Sequence, residues 1–151
     1  MPHLTRMNDP AKFEKETRQL MITTVGKEEG QIFTRKELLN FPCEELRAID
    51  GLWMKHSTGR FGFSVQKRIY VECGGKLDGK DPSTEVLLTF GDRVGWRKNN
   101  EWLEYSQLDP SFSSPQIVFP IFWVLEGGSV FFWTTGMSIS SIFSRTEACD
   151  L

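Results

Sequence analysis

The chain has 151 residues, a length that suits one domain with a hydrophobic core of its own. Its 18 basic and 20 acidic residues give a net charge of −2, which argues against nucleic acid or an anionic lipid surface as an electrostatic partner. The first residues lack the apolar core of a signal peptide, and no apolar run reaches the roughly 20 residues of a membrane-spanning helix. We therefore expect a chain without a secretion signal, a recognisable transit peptide or a transmembrane segment.

The first third of the chain carries the start and stop signals of three helices. Asp9-Pro10 is a typical helix start, and Gly26 ends this first helix. Thr34-Arg35-Lys36-Glu37 has the pattern of a capping box, which predicts a short second helix. Phe41-Pro42 interrupts that helix and begins a third, whose apolar residues lie at helical spacing: Leu46, Ile49 and Trp53.

Two further helices are predicted in the middle of the chain. One runs from about Ser64 until Gly74-Gly75, because glycine pairs are typical of a helix end. The next begins at Asp81-Pro82, has apolar residues at helical spacing and is predicted to stop at Gly91.

The pattern then changes. Short runs at 94–97 and 102–105 flank an Asn-rich turn, which is typical of a small β-hairpin, although an irregular loop would fit as well. A last helix is predicted at about residues 137–148. The elements together predict a mainly α fold, with one helical domain at residues 10–151 behind an extension at residues 1–9.

The cysteines predict no metal centre. Cys43, Cys73 and Cys149 form no Cys-x-x-Cys pair, and neither His3 nor His56 lies at ligand spacing from them. Cys43 and Cys73 fall on core-facing positions of predicted helices. We therefore expect a reducing compartment in which these two residues are buried, reduced thiols.

Composition favours binding over catalysis. The chain has no P-loop, dinucleotide-binding glycine motif, nucleophile elbow or zinc-protease motif, so we predict that it is not an enzyme. It is rich in aromatic residues, with 12 Phe and 5 Trp. Apolar residues concentrate at 117–133, and Phe61 and Phe63 flank Gly62 in a predicted loop. Both features suit a core or a ligand groove, and the 117–133 segment also suits a docking surface for another protein.

Three blocks of sequence resemble one known family. FPCEELRAIDGLWMKHSTGRFGFSVQKRIYVECGG, residues 41–75, is similar to the signature block of the genomes-uncoupled-four domain. FGDRVGWRKNNEWLEYSQL at 90–108 and FSRTEACDL at 143–151 are similar to later parts of the same domain. The resemblance covers residues 10–151, with the blocks in the family's order.

This resemblance implies a non-catalytic regulator of chlorophyll synthesis. Members of the family bind protoporphyrin IX and magnesium protoporphyrin IX, some bind linear bilins, and they stimulate magnesium chelatase through its large porphyrin-binding subunit. The implied fold is helical and cupped, with the tetrapyrrole in a groove between a loop at 54–63 and a second loop at 113–135, and with no protein-bound metal. The implied location is a cyanobacterial cytoplasm or a plastid stroma, and association with the thylakoid or weakly with a membrane stays open.

The resemblance implies six ligand-contacting residues, and Phe61 is added from its place beside Gly62 in the predicted loop, which gives Met54, Phe61, Phe63, Ile69, Phe122, Trp123 and Arg145. The first six would form apolar walls around the macrocycle, and Arg145 would meet its carboxylates. The alternative is a structural role, in which Arg145 pairs with Glu147 or Asp150 or caps the end of the helix. The chain departs from the family in lacking its Gly-His-Leu-Pro sequence and the basic residues of its second loop, which predicts a more permissive site.

Overall fold

A computed structural model describes residues 10–28, 33–103, 123–126, 129–132 and 139–151. This part of the chain contains six helices and two antiparallel hairpins: α1 Pro10–Thr24, α2 Arg35–Leu39, α3 Cys43–His56, α4 Phe63–Glu72, α5 Thr84–Arg93, β1 Arg97–Lys98, β2 Glu101–Trp102, β3 Trp123–Glu126, β4 Ser129–Phe132 and α6 Ile139–Ala148. The mainly α fold predicted from the sequence is confirmed. Within these ranges, no helix combines the length and the apolar character that a membrane crossing needs.

Local capping chemistry sets two of the helix starts. The predicted capping box of α2 is confirmed, since Glu37 N donates to Thr34 Oγ1 at 3.1 Å and Thr34 N donates to Glu37 Oε1 at 2.8 Å. The prediction that α5 begins at Asp81-Pro82 is wrong by two residues. Ser83 is the N-cap instead, because its hydroxyl accepts from Val86 N at 3.2 Å.

Gly91 does not end α5, contrary to the prediction. It lies inside the helix, and a Cβ at this position would come within 2.9 Å of the Trp102 ring and 3.0 Å of Arg97. The missing side chain therefore lets β1 and β2 pack closely against α5. The left-handed residue that follows the helix is Gly95, with φ 80°.

Two hairpins follow α5. The first confirms the prediction of a turn at the Asn pair, since Asn99 and Asn100 have φ 54° and 64° and Lys98 pairs with Glu101. The second, in which Trp123 pairs with Phe132, lies in a segment interpreted from the sequence only as an apolar surface or core. Strand-forming residues on either side of a Gly-Gly pair are the signal that this interpretation overlooked.

A cluster of aromatic rings joins α4, α5 and α6. Tyr70 lies 5.6 Å from Phe90 and 5.2 Å from Phe143 between ring centroids, and Phe90 lies 5.4 Å from Trp96. All four side chains are fully buried. Part of the chain's high aromatic content therefore belongs to the core, as one of the two interpretations held.

The expectation that Cys43 and Cys73 are buried, reduced thiols is wrong for Cys43, which is half-buried and oxidised. Cys43 and Cys149 form a disulfide, with Cα atoms 5.4 Å apart. The two lie 106 positions apart in the sequence, so their proximity depends on α6 returning to the start of α3. Cys73 is a free, half-buried thiol, and burial raises its pKa.

Candidate functional site

The loop at residues 57–62 joins α3 to α4, and one buried hydroxyl holds its first half. Ser57 Oγ donates to Trp53 O at 2.6 Å and accepts from Arg60 N at 3.1 Å and from Phe61 N at 2.8 Å. Ser57 is only 3% exposed, so water competes little for these bonds. The loop backbone is therefore fixed from within the protein.

Asp50 holds the second half of the loop. Its Oδ1 accepts from Ser64 N at 2.9 Å and so caps α4, because the N-cap residue Gly62 has no side chain to do this. Gly62 has φ 137°, and a Cβ there would lie 2.6 Å from Asp50 Oδ1. Asp50 is 4% exposed, which makes this a buried charge-assisted hydrogen bond at a helix N-terminus. Asp50 and Ser57 are not among the residues predicted from the sequence.

The structure places the four apolar residues predicted in the first block in or against the hydrophobic core. Phe61, Phe63 and Ile69 belong to this core and Met54 packs against it, and the Phe61 ring meets Trp53 edge-on at 6.1 Å between centroids. Phe61 and Phe63 are fully buried and Ile69 is 8% exposed, whereas Met54 is half-buried. Met54 therefore offers the most surface of the four, and direct ligand contact by any of them stays a prediction.

Arg145 lies at the other end of α3. Its Nε donates to Phe41 O at 2.7 Å, just before α3 begins. Glu147, one of the alternative partners predicted for Arg145, instead forms a salt bridge with Lys67, with 2.6 Å between Glu147 Oε2 and Lys67 Nζ. The 57–62 loop leaves the carboxyl end of α3, a helix of 14 residues. At 1.5 Å per residue, Arg145 and the loop are separated by about 20 Å along this helix.

The remaining two predicted residues belong to the second loop. Phe122 lies outside the described residues. Trp123 begins β3 and pairs with Phe132 in the register of the hairpin. In the described ranges, no group of three His, Cys, Asp or Glu side chains could hold a metal ion.

Residues 4–134 match the sequence profile of the family described as GUN4-like. The chain belongs to the GUN4-like family. The resemblance found in the sequence blocks is thereby confirmed. The matched range of this GUN4-like chain includes the 57–62 loop, its anchors Asp50 and Ser57, and Trp123, whereas Arg145 lies beyond it.

Individual proteins are similar to this GUN4-like chain over part of their length. The tetrapyrrole-binding protein, chloroplastic, of Arabidopsis thaliana is 41% identical over 114 residues, which cover 66% of this chain and 42% of that protein. The Ycf53-like protein of Synechocystis sp. is 30% identical over 92 residues, which cover 60% of this chain and 35% of that protein. The chain thus spans about two fifths or less of the length of these two relatives.

A solved structure shows the same fold. The ligand-free structure of Arabidopsis thaliana GUN4 aligns with a TM-score of 0.63, covering 95% of this chain and 85% of that chain. The sequence identity of that pair is 24%, so this likeness concerns the fold alone.

Proposed function

We propose that this GUN4-like chain binds a tetrapyrrole without transforming it, and that it regulates chlorophyll synthesis by stimulating magnesium chelatase. The ligand would be protoporphyrin IX, magnesium protoporphyrin IX or a linear bilin. The observation that carries the proposal is the 41% identity to a relative named as a tetrapyrrole-binding protein, within a family match that includes the 57–62 loop. A chloroplastic and a cyanobacterial relative support a plastid or a cyanobacterial cytoplasm as the location.

The order of the 57–62 loop supports a binding role. A loop that must become ordered when a ligand arrives loses conformational entropy, and this cost reduces the affinity. Ser57 and Asp50 hold this loop in one backbone conformation through hydrogen bonds within the protein. The loop can therefore form one border of a groove at little further cost.

Apolar contact alone falls short of micromolar affinity. Burying about 300 Å² of a flat macrocycle at roughly 25 cal/mol per Å² gives on the order of 7 kcal/mol before any cost of association. A Kd of 1 μM corresponds to about 8 kcal/mol net. Hydrogen bonds to the ligand's carboxylates, worth roughly 1.5–3 kcal/mol each when charge-assisted, must therefore contribute.

We place the apolar walls at Met54, with Phe61, Phe63 and Ile69 beneath it, and at Phe122 and Trp123 of the second loop. Arg145 is the proposed cation. Since Arg145 lies at the amino end of α3, it would reach the carboxylates of a ligand that lies along this helix. Closer to the loop in sequence, α4 presents Arg68 as an exposed cation.

Titration with protoporphyrin IX and with biliverdin tests the binding proposal. Trp emission should fall and the Soret band of the porphyrin should shift, with a Kd in the micromolar range. Trp123→Phe should reduce the quenching more than the matched Trp102→Phe, because Trp123 is the tryptophan proposed to contact the macrocycle. No change in emission or absorbance at tens of micromolar ligand would contradict binding and favour the alternative, a module that docks on another protein.

A second assay tests regulation. Added to purified magnesium chelatase with protoporphyrin IX, the chain should increase the rate of magnesium insertion. A chain that binds porphyrin but leaves this rate unchanged would refute stimulation and leave the binding proposal standing.

A further inference from the structure

The disulfide fastens the first turn of α3 to the residue that follows α6. Cys43 and Cys149 are 106 positions apart, so their bond closes a loop that includes most of the chain. The entropy lost by closing a loop increases with its length. Breaking this bond therefore removes a large constraint on the unfolded chain, and the folded state is destabilised relative to it.

Two arginines form hydrogen bonds between the start of α3 and the end of α6, one from each helix. Arg47 of α3 donates from Nη2 to Cys149 O at 2.9 Å, and Arg145 of α6 donates from Nε to Phe41 O at 2.7 Å. We call the disulfide and these two contacts the α3–α6 clasp. Both hydrogen bonds require the last turn of α6 to stay against α3, which is what the disulfide enforces.

The two sulfur-bearing residues differ in exposure. Cys149 is 2% exposed, whereas Cys43 is half-buried. A thiolate of a reductant in solvent can therefore attack the disulfide more easily at Cys43 than at Cys149. The thiolate of Cys149 is then the leaving group, and the guanidinium of Arg47 is hydrogen-bonded to the backbone carbonyl of Cys149.

We infer that the Cys43–Cys149 disulfide is an exchange site for a dithiol reductant, and that its redox state sets how firmly Arg145 is held for tetrapyrrole binding. The second half of this inference rests on the proposed function. The first half stands on the disulfide and its exposure alone.

The exchange balances as a two-electron reaction. One thiolate of the dithiol attacks Cys43 Sγ, the bond between the two cysteines breaks, and Cys149 leaves as a thiolate that takes up a proton. The second thiol of the reductant then attacks the mixed disulfide and releases Cys43. The reductant ends as a disulfide, and the protein ends with two thiols.

Reduction leaves α6 packed but loosens its last turn. Ile142 and Phe143 stay buried in the core, and Lys67 still pairs with Glu147. The bond from Arg145 to Phe41 O loses the covalent tie beside it. The guanidinium then has more conformations open to it, and a ligand that needs it in one position binds less tightly.

Thiol counting and thermal unfolding test the exchange site. Alkylation under denaturing conditions, followed by intact mass, should find one reactive thiol (Cys73) in protein prepared without reductant, and three after dithiothreitol. Reduction should lower the Tm by roughly 10 °C, as expected for a loop of this length in a chain of this size. The double variant C43S/C149S should unfold at the reduced Tm in either condition, whereas the control C73S should keep the full difference. Three thiols without reductant, or equal Tm values, would overturn the exchange site.

Affinity for protoporphyrin IX tests the coupling to Arg145, at a temperature below the reduced Tm. Reduction should weaken binding about threefold in the native chain, less than the roughly tenfold loss expected when the hydrogen bond of Arg145 is removed altogether, and should leave the affinity of Arg145→Ala unchanged. Equal affinities of the oxidised and reduced native chain would overturn the coupling and leave tetrapyrrole binding intact. Absence of binding in both states would instead refute the proposed function, while the thiol count and the Tm still decide the exchange site.

Discussion

Both ends of α3 are anchored to another segment, but by different chemistry. At the carboxyl end, Ser57 and Asp50 hold the 57–62 loop through hydrogen bonds to residues at most 14 positions away. At the amino end, Cys43 is bonded to Cys149, 106 positions away. The loop anchors therefore form as soon as α3 and α4 fold together, whereas the clasp forms only after the distant α6 has docked. One end of α3 is fixed by local sequence, and the other responds to redox conditions.

The largest loss at the carboxyl end is expected from Gly62→Ala. The new Cβ would collide with Asp50 Oδ1 and would sit on a backbone with φ 137°. Backbone strain and a lost cap together should lower the free energy of unfolding by about 3 kcal/mol. Gly51→Ala is the matched control, because it lies in α3 with nothing within 4 Å of its added Cβ and should raise stability by about 0.5–1 kcal/mol. Urea unfolding of both variants measures this, and a Gly62→Ala protein as stable as the native chain would contradict the account.

The next effect should come from the polar anchors themselves. Ser57→Ala removes a buried acceptor from two backbone N–H groups, which should cost about 2 kcal/mol of stability. If the loosened loop then costs about 1 kcal/mol to order on binding, porphyrin affinity should fall about fivefold. Ser64→Ala is the control, since it keeps the backbone N–H that Asp50 accepts. Equal porphyrin affinity in Ser57→Ala and Ser64→Ala would show that the 57–62 loop does not contribute to porphyrin binding.

At the amino end, Arg145→Ala should cost about 1 kcal/mol of stability through its lost bond to Phe41 O. It should also weaken porphyrin binding about tenfold, with Arg145→Lys recovering only part because lysine cannot form a bidentate pair. Arg93→Ala is the control, since Arg93 pairs with Glu72 at 3.6 Å on the surface and such a pair contributes about 0–1 kcal/mol. Lower stability with unchanged affinity would make Arg145 structural only.

The smallest effect concerns Glu37, which lies in a third anchor, the capping box of α2. Desolvation raises the pKa of Glu37, but hydrogen bonds from Thr34 and Lys27 outweigh it, so that the pKa lies below its usual value of 4.5. Because the pKa of Glu37 is lower in the folded than in the unfolded chain, ionised Glu37 stabilises the fold at pH values above its unfolded pKa. This contribution is lost as the pH falls through its folded pKa. Thermal unfolding between about pH 5 and pH 3 should therefore show a loss below about 0.5 kcal/mol that Glu37→Gln lacks. An equal pH dependence in both proteins would contradict this assignment.

Local signals in the sequence predicted most of the fold. The capping box at Thr34, the turn at Asn99-Asn100 and the break at Phe41-Pro42 each act within a few residues, so a pattern in the sequence is enough to find them. The prediction for Gly91 was wrong because a glycine can either end a helix or leave room for a neighbouring ring. Only the packing in the folded protein distinguishes these two roles.

The anchors of the site could not be predicted in this way. In the sequence, an aspartate in the middle of a helix cannot be told from an ordinary solvent-exposed charge. Asp50 can cap α4 only because the chain turns back at Gly62. The partners Cys43 and Cys149 are too far apart in sequence for any spacing rule to join them. The apolar residues near the loop were predictable as a group, but sequence alone does not distinguish the half-buried Met54 from the buried Phe61.

The most direct test of the account is an amide ¹H–¹⁵N NMR spectrum of the oxidised chain, recorded with and without protoporphyrin IX. The ring current of a macrocycle shifts nearby resonances strongly and falls off steeply with distance. The account predicts the largest shifts at the amides of the 57–62 loop and at Ser64, with small shifts for α5 at the Thr84–Arg93 amides. A spectrum that changes elsewhere and leaves the loop amides in place would contradict the claim that this loop borders the tetrapyrrole site.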